Sequence, residues 1–146
     1  MIGTELLVAS GVLALSVSIG LIAHEWSHAL VLRLAGIEHD VVYVPGRDEG
    51  VVAALASCRW AAVHPRPDGT ESPWVFRLAA MMPLVLTLPV LGVALTGTLR
   101  LDDPIVVAAA LGVLACAIPS PQDFSVAFYA HRLLERERFT NGSRAE

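Results

Sequence analysis

Leu21-Ile22-Ala23-His24-Glu25-Trp26-Ser27-His28-Ala29-Leu30 sets two histidines and one acid inside an otherwise apolar, uncharged run. Between Leu6 and Leu32 Glu25 is the only formally charged residue, and between Leu78 and Leu99 there is none. A helix on the surface of a soluble domain carries charges on its wet face. These stretches have no such face, so the bilayer is the simplest solvent for them. The whole chain agrees: of its 146 residues 55% are hydrophobic, above the range usual for soluble domains.

Three apolar segments lie at about 4–35, 74–99 and 104–134. Each exceeds the roughly 20 residues that a helix needs to cross the hydrocarbon core. Gly36 is a helix stop after the first, and Pro104 is a favoured first residue of the third. Trp74 suits an interface, and Pro83 and Pro89 predict kinks in the second segment. Met1 to Glu5 has no positive charge and the apolar run after it is too long for a signal peptide, so it is expected to remain as a spanning helix. Between the first two segments lies a polar insert, 39–73. Its stretches Val41–Val44 and Val51–Val63, separated by Pro45-Gly46-Arg47-Asp48-Glu49-Gly50, predict a short hairpin. The expected fold is an all-α multi-pass membrane protein, with three transmembrane helices and a short cytoplasmic β-hairpin between the first two. Residues 1–138 form its single domain and 139–146 a flexible tail.

The positive charge is all arginine. Arg33, Arg47, Arg59, Arg66 and Arg77 cluster around the insert, and Arg132, Arg136, Arg138 and Arg144 follow the third segment. The opposite side carries Arg100 beside Asp102 and Asp103. The positive-inside rule therefore predicts a cell-membrane protein with its N-terminus outside and the insert and C-terminus cytoplasmic. A net charge of −4 without a basic stripe argues against nucleic acid as a partner. Cys58 and Cys116 form neither a CxxC pair nor a disulfide framework and are expected to be free thiols.

His24-Glu25-Trp26-Ser27-His28 is an HExxH pattern. Residues four apart share one face of a helix, so both imidazoles can reach one ion. Neutral imidazole suits zinc, and an acid beside the first histidine can take a proton from water that the metal has acidified. The competing reading is a polar contact between helices. However, an acid in a spanning helix costs about 2.5–3.5 kcal/mol on insertion scales and therefore usually has a partner and a task. Two histidines leave zinc short of a third protein ligand. The candidates are His39, Asp40, His64, Asp123 and His131. Depth favours Asp123: Glu5 to His24 and Pro104 to Asp123 span the same number of residues, about 28 Å at 1.5 Å per residue. Ser120-Pro121-Gln122-Asp123 also spells a helix start, in which Asp123 completes a capping box. Both roles are compatible with a helix broken at Pro119 and Pro121, since irregular backbone at membrane depth is tolerated only around protein or a cavity.

HExxH in a first long membrane helix, followed by Ser120-Pro121-Gln122-Asp123-Phe124, resembles the site-2 protease-type intramembrane metallopeptidases. It is more closely similar to the short prokaryotic zincin peptidases that pair HExxH with a later Ser-Gly-Asp-like motif. The similarity covers both motifs, their order and the hydropathy between them. It implies His24, His28 and Asp123 as zinc ligands, Glu25 as general base, and a membrane metallopeptidase-like domain over 1–138. The larger site-2 proteases carry Asn-Pro-Asp-Gly or Leu-Asp-Gly at the third motif, and this chain departs from both. It shows no PDZ or CBS domain either, which leaves substrate and regulation open. The resemblance also suggests that the strand at 51–63 offers an edge to an extended peptide, with a hairpin that simply caps the cytoplasmic face as the equal alternative.

The leading expectation is thus a zinc-dependent intramembrane endopeptidase, acting in the lipid bilayer on a membrane protein or peptide substrate. Ser120 or Gln122 would contact substrate backbone, and Trp26 and Ser27 would face neighbouring helices or lipid. The alternative is a non-catalytic, zinc-stapled membrane scaffold or accessory subunit, packed through Ala108-Ala109-Ala110, Gly112 and Ala115. A metal or proton pathway ranks last, because three helices are few for a transporter.

Overall fold

The computed structural model describes residues 2–43, 61–67 and 70–142. Helix α1, Ile2–Leu34, is followed by strands β1, His39–Tyr43, and β2, Ala61–Pro65. Helix α2, Pro73–Met81, leads through a 3-10 turn at Met82–Leu86 into α3, Thr87–Leu95. Helices α4, Pro104–Ala117, and α5, Pro121–Gly142, complete the order. Among the described residues three helical stretches are long and apolar enough to cross a membrane: Gly3–Leu34, Pro73–Leu95 and Pro104–Arg136. They fit a multi-pass membrane protein. Many large apolar side chains along them face outward, including Leu7, Leu15, Ile19, Leu88 and Leu91. Hydrocarbon is the solvent in which that exposure costs nothing.

The chain divides into two compact units. In the first, Met1–His24 with Pro83–Ile118, the hydroxyls of Ser10 and Ser18 donate to the carbonyls of Leu6 and Ala14 one turn back. This satisfies polar groups that lipid cannot. Small residues set the helix spacing here. A Cβ added at Gly112 of α4 would lie 2.6 Å from Ser16 Cβ, and one at Gly20 would lie 2.8 Å from Cys116 Cβ. Ser16/Gly20 and Gly112/Cys116 are each four apart, so α1 and α4 meet along a seam of small residues. Gly112, expected on a face for a partner protein, is instead used within the chain, and Ala115 is exposed. Asp103 starts α4 by accepting from the amides of Ile105 and Val106, with Pro104 as its first residue.

The second unit is Glu25–Met82 with Pro119–Glu146. Its core joins Val31, Leu32 and Ile37 to Phe76 and Ala79 of α2 and to Ala130 and Leu134 of α5, with Val63 of β2 packed against it. Helix α1 ends where the sequence places its stop. Gly36 takes φ 72°, its N–H reaches Arg33 O, and the N–H of Ile37 reaches Leu32 O. That pair of bonds is a Schellman closure, and burying Ile37 against Val31 and Leu32 supplies its apolar contact. Strands β1 and β2 pair antiparallel, His39 opposite Pro65 and Tyr43 opposite Ala61.

The structure refines three local readings. The second strand is Ala61–Pro65, at and beyond the end of the stretch expected to form it; the turn at 45–50 and the edge at 51–60 lie outside the described residues. The third apolar segment is two helices, with Ile118 extended at the end of α4. The second is divided at the 3-10 turn that contains Pro83, whereas Pro89 sits in the first turn of α3, where a missing N–H breaks no bond. Substituting alanine for Gly112 should cost about 1–3 kcal/mol of stability, because Ser16 leaves no room for the methyl group. Gly92→Ala, where nothing lies within 4 Å, should be neutral or stabilising by up to about 1 kcal/mol. Denaturation of both variants in detergent micelles measures the difference.

Candidate metal centre

His24 and His28 occupy successive turns of α1, and both are buried, each only 8% exposed. Their ring orientations are set by backbone carbonyls. His24 Nδ1 donates to Cys116 O at 2.7 Å, and His28 Nδ1 donates to Ala79 O at 2.8 Å. A carbonyl can only accept, so each Nδ1 carries the proton. A neutral imidazole in that tautomer carries its lone pair on Nε2.

Asp123 stands at the start of α5 and uses its two carboxylate oxygens differently. Oδ2 accepts from the Ser120 amide at 2.6 Å, and Ser120 Oγ in turn accepts from the Asp123 amide at 3.2 Å. This is a reciprocal capping box around Pro121. Oδ1 lies 3.3 Å from His28 Nε2. The cap and the candidate ligand are therefore one side chain acting through two atoms. Ligand atoms of His24, His28 and Asp123 all lie within 4.8 Å of one another, a grouping able to hold a metal ion.

The contact between His28 and Asp123 tests whether the group suits a cation. Nε2 presents a lone pair, and so does a carboxylate oxygen. Two acceptors at 3.3 Å repel unless positive charge stands between them, either a proton or a metal ion. Two neutral imidazoles and one carboxylate, each held by a second hydrogen bond, make a donor set of the kind divalent transition metals take.

The other candidate ligands lie elsewhere. Asp40 of β1 pairs with Arg66 at 2.6 Å and faces His64 across the strand pair. His39 Nδ1 donates to Ile37 O, and His131 is exposed on α5. Glu25 is half-buried, beside His24 and three residues before His28, so it flanks the same face of α1. Trp26 is exposed and Ser27 half-buried. Ser120, expected to contact substrate, uses both its amide and its hydroxyl in the cap, while Gln122 is exposed. Sequence reasoning missed Cys116 and Ala79, which act through their main chains. Side-chain chemistry gives no hint of such a role.

Asp123→Asn should still cap α5 but bind divalent metal more than about 100-fold more weakly, beyond the 10–100-fold typical of losing an outer partner. Ser120→Ala should lose far less, because only one arm of the capping box goes. Metal content and competition titration of the purified protein read both. Compared with protein-family models, with curated proteins and with solved structures, the chain matches none.

Proposed function

We propose that the protein is a zinc-dependent peptidase that cleaves membrane-embedded or membrane-proximal peptide bonds. The observation that carries this reading is the 3.3 Å approach of Asp123 Oδ1 to His28 Nε2, beside His24 and Glu25. Zinc bonds of about 2.0–2.1 Å in a tetrahedron put neighbouring ligand atoms about 3.3–3.4 Å apart, in keeping with that spacing. Three protein ligands also match a catalytic site better than a structural one, which closes with four. Among the described residues the grouping contains His24, His28 and Asp123 and no fourth side chain. This favours hydrolysis over the scaffold reading.

A bound zinc ion supplies a Lewis acid that polarises a carbonyl and lowers the pKa of water. Glu25 takes the proton from the attacking water and later delivers it to the leaving amine, so one carboxylate serves both halves of the reaction. His24 and His28 keep their Nδ1 protons on Cys116 O and Ala79 O, which leaves Nε2 of each to face the ion. Asp123 holds its place through the Ser120 amide. The apolar lengths of α1 and of the later spans support a substrate that is itself in or at the bilayer, and the arginine distribution supports a cytoplasmic insert and C-terminus.

Glu25→Gln should bind zinc like the wild type and lose roughly 10²–10⁴-fold in cleavage. The measurement is cleavage of a library of spanning segments in proteoliposomes, with zinc content determined in parallel. Undiminished cleavage by a zinc-loaded Glu25→Gln protein would remove the peptidase reading.

A further inference from the structure

Both histidines are held by carbonyls that a regular helix would have occupied itself. In an α-helix the carbonyl of residue i accepts from the amide of residue i+4. For Ala79 that residue is Pro83, which has no N–H to give. The amide of Met82 reaches Ala79 O from the 3-10 turn, which leaves the second lone pair of that oxygen to His28 Nδ1. For Cys116 the residue at i+3 is Pro119, again without an N–H, and the residue at i+4 is Ser120, whose amide goes to Asp123 Oδ2. His24 Nδ1 takes that carbonyl at 2.7 Å. In each helix a proline thus removes one amide near the carbonyl that an imidazole takes, at i+4 from Ala79 and at i+3 from Cys116.

We propose that Pro83 and Pro119 are positioning residues of the metal centre. Each has no amide to offer, and a nearby carbonyl with a lone pair left open fixes one histidine as the Nδ1–H tautomer, with Nε2 as its ligand atom. Asp123 Oδ2 accepts the Ser120 amide, and Asp123 Oδ1 faces His28. As a statement about metal affinity this rests on the zinc reading above. As a statement about tautomers it stands by itself. An outer partner of this kind fixes ring orientation and raises ligand basicity, and its loss typically costs 10–100-fold in affinity.

The test is imidazole nitrogen NMR on ¹⁵N-histidine-labelled, metal-free protein in micelles, combined with Zn²⁺ competition against a chromophoric chelator. His24→Gln and His28→Gln assign the signals. In the wild type both rings should carry a proton on Nδ1, whether or not a second proton stands at His28 Nε2 beside Asp123 Oδ1. Pro83→Ala restores an amide that competes for Ala79 O, so the His28 ring should lose its single tautomer while His24 keeps it. Pro119→Ala should do the reverse. Each variant should bind Zn²⁺ about 10- to 100-fold more weakly. Pro89→Ala, in the first turn of α3, should change neither ring nor affinity. Predominantly Nε2–H rings in the wild type would overturn the proposal, and that measurement decides even where a variant does not fold. So would Pro83→Ala and Pro119→Ala proteins with both rings and Zn²⁺ affinity unchanged. Nδ1–H rings in a wild type that takes up no Zn²⁺ would support the positioning role and remove the metal reading alone.

Discussion

A backbone carbonyl buried in hydrocarbon has no water to accept from, and leaving one unsatisfied costs several kcal/mol. Spanning segments therefore either stay helical throughout or spend each break on a specific partner. Here α2 and α4 both end inside apolar stretches that the bilayer would otherwise keep helical. Each end presents a carbonyl, and each carbonyl receives the Nδ1 proton of one histidine of α1. The constraint that every main-chain oxygen be satisfied is what connects the breaks in the helices to the orientation of the imidazoles.

The Asp123 carboxylate extends that connection to the start of α5. Its Oδ2 closes the helix start at the Ser120 amide, and its Oδ1 meets His28. An acid at N3 is well placed for both, because it reaches back over the first turn and sits at the positive end of the helix dipole. Capping and coordination are thus not rival roles for this residue. The cap holds the rotamer, and a held rotamer keeps Oδ1 facing His28, where the grouping could hold an ion.

Packing in the first unit serves the same end. The seam formed by Ser16 and Gly20 against Gly112 and Cys116 brings α1 and α4 close enough for His24 to reach a main-chain oxygen and not merely a side chain. In lipid no hydrophobic force drives helices together, and small residues that allow close contact take its place. In the second unit the buried cluster around Leu32, Phe76 and Ala130 does the corresponding work for His28, because Ala79, whose oxygen it uses, belongs to that cluster.

The three apolar spans, the stop at Gly36, the start at Pro104 and the pairing of His24 with His28 on one helical face were legible from the residues alone. Each of these follows from hydropathy, from backbone chemistry or from a spacing of four, all of which are local. Counting residues from Glu5 and from Pro104 also gave Asp123 the same depth as His24, since rise per residue is fixed. Only the tertiary structure decided that Asp123, and not His39, Asp40, His64 or His131, joins the two histidines, and that one carboxylate both caps and faces a ring. It also decided that β1 pairs with Ala61–Pro65, and that Cys116 and Ala79 matter through their oxygens. Those outcomes depend on which segments meet across long separations in sequence, and a main-chain carbonyl is the same at every residue, so no residue type could announce them.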